Sequence, residues 1–353
     1  MTYAETPAMS KKLARKVARR DRLFEILAWS RPHNSEIEQR FCREFLDKVP
    51  GMERDGFGNR YLRVGKDSTV LWSCHVDTVA KEGRLNALDY DAASGTLALK
   101  NGKAGQSLGA DDGAGVWMML EMIRGGKPGL YVFHRGEEKG CLGSKWVAQN
   151  APELLAGIQM AIAFDRAGTR DIITHQAYGQ CCSDAFAEAL AAALNADEWT
   201  AFKFRPDPTG IYTDTNEYLR LVPECTNVSV GYESNHGPRE TLDVWHVEDL
   251  LGAVLRLDVE ALVVERDPAD SWLDDYGMGG WGRTSSRKAS TTKGSDKDFA
   301  DTVRDNPGVA VELLREAGIS LEDFEYLAWA QAKYDGRPFD EQYEDEIDWE
   351  TAQ

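Results

Sequence analysis

No stretch of this 353-residue sequence approaches 18 consecutive apolar residues, which argues against a membrane-spanning helix. Cysteine is scarce. Its six positions, Cys42, Cys74, Cys141, Cys181, Cys182 and Cys225, match no zinc-knuckle spacing, and two of them are adjacent. With no secretory signal in view, reduced thiols and a cytoplasmic location are expected. The N-terminal stretch is basic (Lys11, Lys12, Arg15, Lys16, Arg19, Arg20, Arg22) but no apolar segment follows it, so it is read as a solvated helical extension. No internal repeat is present, which excludes a solenoid or propeller.

Charge is uneven. Of the net −18, two thirds lies between Asp296 and Gln353, where 17 acidic and 5 basic residues occur. The acidity is therefore not a property of the central region, and nucleic-acid binding by the tail is disfavoured because like charges repel.

The pattern of what is present divides the chain into four parts. Residues 1–20 form the basic extension, 21–267 an α/β unit, 268–303 a linker rich in Gly, Ser and Thr, and 304–353 a small helical segment with an acidic tail. Within the second part, short β-rich runs recur at Val70–Cys74, Leu130–His134, Met160–Phe164, Asp171–His175 and Thr226–Val230. Helical spacing appears at Leu23–Trp29, Glu36–Val49 (capped by Ser35), Ala114–Ile123, Ser144–Gln149, Ser183–Leu194 and Val247–Val264. Apolar strands alternating with helices predict an α/β fold: a mostly parallel mixed sheet with helices on both faces, plus a small α-helical C-terminal extension. Leu85–Lys100 alternates around Ala93-Ser94-Gly95 and predicts a hairpin.

Five segments offer metal-compatible groups at strand ends or in the loops that follow, where open α/β sheets bind ligands. Ser73-Cys74-His75-Val76-Asp77-Thr78 follows an apolar strand, and a carboxylate two residues after a histidine can fix the ring's tautomer. Alone, such a pair is more often structural. Leu108-Gly109-Ala110-Asp111-Asp112-Gly113 places two carboxylates in a glycine-rich turn, where they repel unless a cation intervenes or they cap a helix. Arg135-Gly136-Glu137-Glu138-Lys139-Gly140 offers one glutamate to bind metal and one to handle protons, although an isolated pair is usually solvated. Asp165 ends an apolar run, and His236 lies in Asn235-His236-Gly237-Pro238-Arg239-Glu240.

Taken together and in order, these motifs resemble the co-catalytic zinc exopeptidases, a clan that includes the bacterial leucyl-type aminopeptidases, the deblocking aminopeptidases, peptidase T and the carboxypeptidase-G group. The clan's succession is His-x-Asp, Gly-Ala-Asp-Asp, Glu-Glu-x-Gly, Asp or Glu, then His, and the match covers roughly residues 21–267. The resemblance implies two zinc ions, with cobalt or manganese as substitutes. His75 and Asp165 would hold one, Glu138 and His236 the other, and Asp111 would bridge them. It further implies Asp77 as the partner of His75, Glu137 as the general base acting on a metal-bridging hydroxide, and a cis Asp111–Asp112 peptide.

The expected substrate is the end of a small peptide, with no nucleic-acid or membrane partner. Only 71 positions separate Asp165 from His236, and 36 separate His75 from Asp111, so the inserted domains of the peptidase T, carboxypeptidase-G and deblocking branches are missing. That favours the single-domain aminopeptidases, in which Tyr212 or Asp214 would line the substrate pocket. The glutamate motif itself is closer to the peptidase T and deblocking branches, which leaves aminopeptidase against carboxypeptidase open. A related amidase or deacetylase and a non-catalytic binding protein that keeps the fold are the alternatives. The presence of all six polar groups argues against the last.

Overall fold

The structure, a computed structural model, describes residues 11–177 and 179–270, so the expectations for the remaining linker and the acidic helical tail lie outside the described residues. An eight-stranded sheet forms the centre. Its strands in chain order are β1 (Glu53–Arg54), β2 (Arg60–Val64), β3 (Val70–His75), β4 (Gly129–His134), β5 (Met160–Arg166), β6 (Asp171–Ile173), β7 (Arg205–Asp207) and β8 (Glu224–Ser229). They lie side by side in the order β7-β6-β8-β5-β3-β4-β2-β1. The central run β8-β5-β3-β4 is parallel, with Leu71 level with both Leu130 and Ala161, while β1, β2 and β6 join antiparallel neighbours. The sheet is thus mixed, as the alternation of apolar runs and helices implies.

Every residue of β3, β4 and β8 is buried, because a parallel strand at the centre of a sheet is covered on both faces. The period of two assigns the faces. Val70, Trp72 and Cys74 of β3 point into one core with α1 (Lys11–Leu27), α3 (Ala110–Arg124), α5 (Asp184–Asn195) and α6 (Val244–Arg256). Leu71, Leu130 and Val132 point into the other core with α4 (Leu142–Asn150). Trp72 anchors the first core. It stacks on Phe164 with centroids 5.7 Å apart, and its indole N–H donates to the Pro128 carbonyl at 3.0 Å. Trp72→Ala is expected to cost about 3–5 kcal/mol, read from the denaturant midpoint; a loss below 1 kcal/mol would show that the core does not depend on this ring.

Several elements depart from the boundaries read in the sequence, each for a local reason. Helix α1 starts at Lys11 and runs through the position where the α/β unit was expected to begin. Two of its basic residues are engaged: Arg20 forks onto Glu248 at 2.8 and 2.6 Å, and Arg22 onto Glu121 at 2.8 and 3.0 Å. Trp29, read as helical, pairs instead with Leu85 in a short strand. Ser35 caps α2 (Glu36–Phe41) by accepting from Glu38 N–H, and the helix then widens into a π-turn at Cys42–Leu46. Helix α6 begins at Val244, because Asp243 accepts from His246 N–H at 2.9 Å. The expected hairpin is formed by Leu88–Asp91 and Thr96–Leu99, and it belongs to a second, four-stranded sheet with Thr241–Asp243 and Tyr232–Glu233. Among the described residues no helix is long and apolar enough to cross a membrane.

The topology gathers the chemistry. His75 is the last residue of β3, Glu137 and Glu138 follow β4, Asp165 lies near the end of β5, and Asp111 opens α3. The C-terminal edges of three adjacent parallel strands therefore meet a helix N-terminus.

Candidate metal centre

His75 is buried and its ring is fixed on both sides. Nδ1 lies 3.0 Å from the Asp77 main-chain oxygen, and Nε2 lies 3.0 Å from Asp111 Oδ1. Asp77 thus meets His75 mainly through its carbonyl, with the nearer carboxylate oxygen at 3.7 Å from Nδ1. The Asp77 carboxylate does something the sequence did not disclose. It accepts the N–H groups of Gly136, Glu137 and Glu138 at 2.8, 3.1 and 3.3 Å, and so holds the turn that carries both glutamates. Gly136 sits at φ +75°, and a Cβ there would come within 2.8 Å of the His33 ring, so the turn requires glycine.

Asp111 occupies the middle of the site. Its Oδ1 faces His75, while its Oδ2 lies 3.1 Å from His236 Nε2 and accepts from Asn235 Nδ2 at 2.6 Å. The Asp111–Asp112 peptide is cis. Glu240 accepts Gly109 N–H and Asp111 N–H, both at 3.0 Å, and clamps the turn that presents the carboxylate. Arg31, fully buried, donates to the Gly109, Val76 and Trp29 carbonyls at 3.2, 2.6 and 2.8 Å and ties the ends of the His75 and Asp111 segments together. Asp112 turns away: its two oxygens accept His75 N–H and Gly115 N–H at 3.2 and 3.0 Å, so it acts on the backbone.

The remaining groups fall into two sets around Asp111. Asp165 Oδ1 is 3.6 Å from His75 Nε2, and Glu138 Oε2 is 3.5 Å from His236 Nε2. Asp165 is steadied by Thr213 Oγ1 at 2.6 Å and the Tyr232 hydroxyl at 3.1 Å. Glu137 Oε2 stands 3.9 Å from His75 Nε2, and Cys141 Sγ donates weakly to its other oxygen at 3.6 Å. His236 is the one exposed member, at 55 % for its side chain.

Whether the set suits cations can be tested on its charges and on unmet bonding capacity. Five buried or nearly buried carboxyls, Asp111, Asp112, Glu137, Glu138 and Asp165, face two imidazoles. Burial pushes Glu137 well above the usual carboxylate range, opposed by His75 and aided by Asp165 and Glu138. Burial and then the Asp111 charge push Glu138 up to about 8. Burial, then Asp111, also raises Asp165. Asp111 is the exception. Burial would raise it too, but hydrogen bonds with His236 and His75 hold it below the ordinary range. His236 is raised to about 9, first by its bond with Asp111. His75 is held well above its usual value although burial opposes this, because Asp165 and Asp111 favour its charged form. In addition, Glu138 Oε1 is buried with no hydrogen-bond partner among the described residues. A crowd of carboxyls, all but Asp111 kept from ionising by burial and then by one another's charge, with one oxygen left unsatisfied, is what divalent cations neutralise. The donors are oxygens and imidazole nitrogens, a set that suits zinc, cobalt or manganese. His75, Asp111 and Glu138 have ligand atoms within 4.8 Å of one another.

A cleft of about 260 Å³ opens beside these groups, with Asp111, Glu137, Asp165 and His236 on one wall. Tyr212 lines it. Asp214, expected in the same pocket, does not reach it. It is 1 % exposed, accepts from Ser144 Oγ at 2.6 Å and lies 3.3 Å from His134 Nδ1, so the carboxylate braces α4 against β4 from behind. Its neighbour Thr213 is the residue that touches Asp165. Arg31, Glu240 and Tyr232 escaped sequence reasoning as site residues. Only Glu240 carried a hint, through its position four residues after His236.

Comparison with known proteins agrees with this geometry. The family model for Peptidase family M28 matches residues 60–216, a span that contains His75, Asp111, Glu138 and Asp165. Among solved structures, a tripeptidase from Staphylococcus aureus subsp. aureus Mu50 is similar with a TM-score of 0.54 at 15% identity, over 67% of this chain and 96% of that one. The aminopeptidase PepT from Bacillus cereus ATCC 10987 has a TM-score of 0.51 at 15% identity, with 67% and 96% covered. An aminopeptidase from the archaeon Desulfurococcus kamchatkensis has a TM-score of 0.51 at 12% identity, covering 70% and 96%. At these identities the likeness shows the fold. No curated protein sequence matches the chain.

Proposed function

We propose that this chain is an aminopeptidase of the co-catalytic zinc exopeptidase kind, which removes N-terminal residues from short peptides with a pair of zinc ions; the match of residues 60–216 to the model of Peptidase family M28 supports this reading. The observation that carries the reading is the Asp111 carboxylate, which faces His75 on one oxygen at 3.0 Å and His236 on the other at 3.1 Å. A single carboxylate set between two imidazoles is the arrangement a bridging ligand requires. In this reading His75 and Asp165 would hold one cation, Glu138 and His236 the other, and Asp111 both. When bound, such a pair supplies Lewis acidity, polarising the scissile carbonyl and lowering the pKa of water toward neutrality.

The chain's own groups do the rest. Glu137 takes the proton of the attacking water and returns it to the leaving amine, and its place in the cleft beside His75 suits both steps. Asp77 fixes the His75 ring through its carbonyl and the glutamate turn through its carboxylate. A cleft of about 260 Å³ falls short of the roughly 300–1,000 Å³ usual for ligand pockets and suits the end of a peptide. The six cysteines are all free and buried, which supports a reducing, cytoplasmic setting.

Elemental analysis and a panel of aminoacyl and acylated amides test this reading. About two zinc ions per chain are expected, on the two-metal arrangement, with release of free N-terminal residues that stops on chelation and returns with zinc. Preferred cleavage of the acylated amides would move the assignment to an amidase. Protein that holds no metal and cleaves neither class would end it.

A further inference from the structure

The cleft carries charges of both signs. Beside its carboxylates, Arg166 is the one arginine or lysine among the described residues that line it. The guanidinium is placed but not saturated. Nη2 donates to Thr209 Oγ1 at 3.0 Å and reaches Asp171 Oδ2 only at 3.4 Å, a long contact between partly exposed groups. Nε is buried and has no hydrogen-bond partner among the described residues. Nearby on the lining, Gln176 donates to Thr215 Oγ1 at 3.1 Å, while its own buried Oε1 is likewise unpartnered. Buried polar groups left unpaired cost free energy unless a ligand satisfies them. A planar cation with spare donors is matched by a carboxylate.

We propose that Arg166 is the specificity-determining residue of this cleft and selects a substrate carboxylate, either the acidic side chain of an N-terminal Asp or Glu residue or the free C-terminus of a dipeptide. The inference rests on the exopeptidase reading for where the substrate lies. Arg166 directly follows Asp165, so its guanidinium serves a group close to the scissile bond. Arg166 then takes the substrate's carboxylate, and Gln176 Oε1 accepts a substrate N–H.

The test uses the full chain carrying Glu137→Gln, loaded with zinc, and three peptides of equal length. Glu-Ala-amide bears only the side-chain carboxylate, Gln-Ala only the C-terminal one, and Gln-Ala-amide neither. Calorimetry is expected to show one of the first two binding about tenfold or more tightly than the third, as a charge-assisted hydrogen bond gives. Which of them does so names the source of the carboxylate. Adding Arg166→Gln is expected to bring the ratio to within about twofold of unity, with zinc content unchanged, and Arg166→Lys, which keeps the charge, to recover part of it. Equal binding of all three peptides, no binding of any, or a ratio that survives Arg166→Gln overturns the proposal. Turnover of the same peptides by the unsubstituted chain reports separately on the exopeptidase reading. Arg166-dependent binding with no cleavage would refute that reading and leave the role of Arg166 standing.

Discussion

Glu137→Gln is expected to keep its metal ions and to lose about a hundred- to ten-thousandfold in turnover, the range that a positioned general base supplies. The substitution replaces one oxygen by an amide nitrogen of nearly the same size, so packing against Cys141 and the turn held by Asp77 should survive. What disappears is the capacity to take up a proton. That capacity is unusual here, because burial, with Asp165 and Glu138 behind it and His75 against it, raises the proton affinity of Glu137 well above that of an ordinary carboxyl. Its side chain is 14 % exposed and reaches into the cleft beside His75, where an attacking water can meet it. The expected signature is a fall in kcat with little change in KM, zinc content equal to that of the parent and an unchanged melting curve. Turnover within tenfold of the parent would remove Glu137 from the base role; loss of zinc would make it a ligand.

The parts of this molecule that were legible in the sequence share a physical reason. A strand buried on both faces must be continuously apolar, so Val70–Cys74 and Leu130–His134 announce themselves, and a polar residue that ends such a run stands at the sheet edge where ligands gather. His75 and Asp165 are of this kind. The fold follows from the same runs, and the ordered motifs single out five segments that the structure brings within a few ångströms of Asp111. The hidden part depends on pairings across long stretches of chain. Arg31 reaches the carbonyl of Gly109, and Glu240 reaches back to the amides of Gly109 and Asp111; no local period encodes either. Asp214 misled for a related reason. A loop aspartate next to a cleft residue looks like a cleft residue, yet the backbone turns there, so that Thr213 faces Asp165 while Asp214 points at Ser144 and His134. Arg166 was overlooked because a charge at a strand end usually faces solvent.

Asp111→Asn should be the most damaging change to the metal centre. Among the described residues the carboxylate is the only group in contact with both imidazoles, and its two oxygens are kept ionised by them although burial favours the neutral acid. In exchange, Asp111 holds the imidazoles protonated, His236 at about 9 and His75 well above its usual value. Divalent cations compete for those same nitrogen and oxygen atoms, so loading should release protons, and an amide at position 111 should deny a charge to both cation sites at once. Loss of a residue that merely orients a ligand weakens metal binding by about 10–100-fold, so loss of the shared ligand is expected to weaken both sites by at least the upper end of that range. Turnover should fall with it. Equilibrium dialysis against buffered zinc, with circular dichroism to verify the fold, reads the effect directly, and proton release on loading the parent can be followed in weakly buffered solution. Retention of two zinc ions per chain by Asp111→Asn would place the cations elsewhere and dissolve the bridging assignment. Loss of only one would leave Asp111 as a terminal ligand and shift the bridging role to Glu138 or Asp165, the other carboxyls that stand beside the two imidazoles.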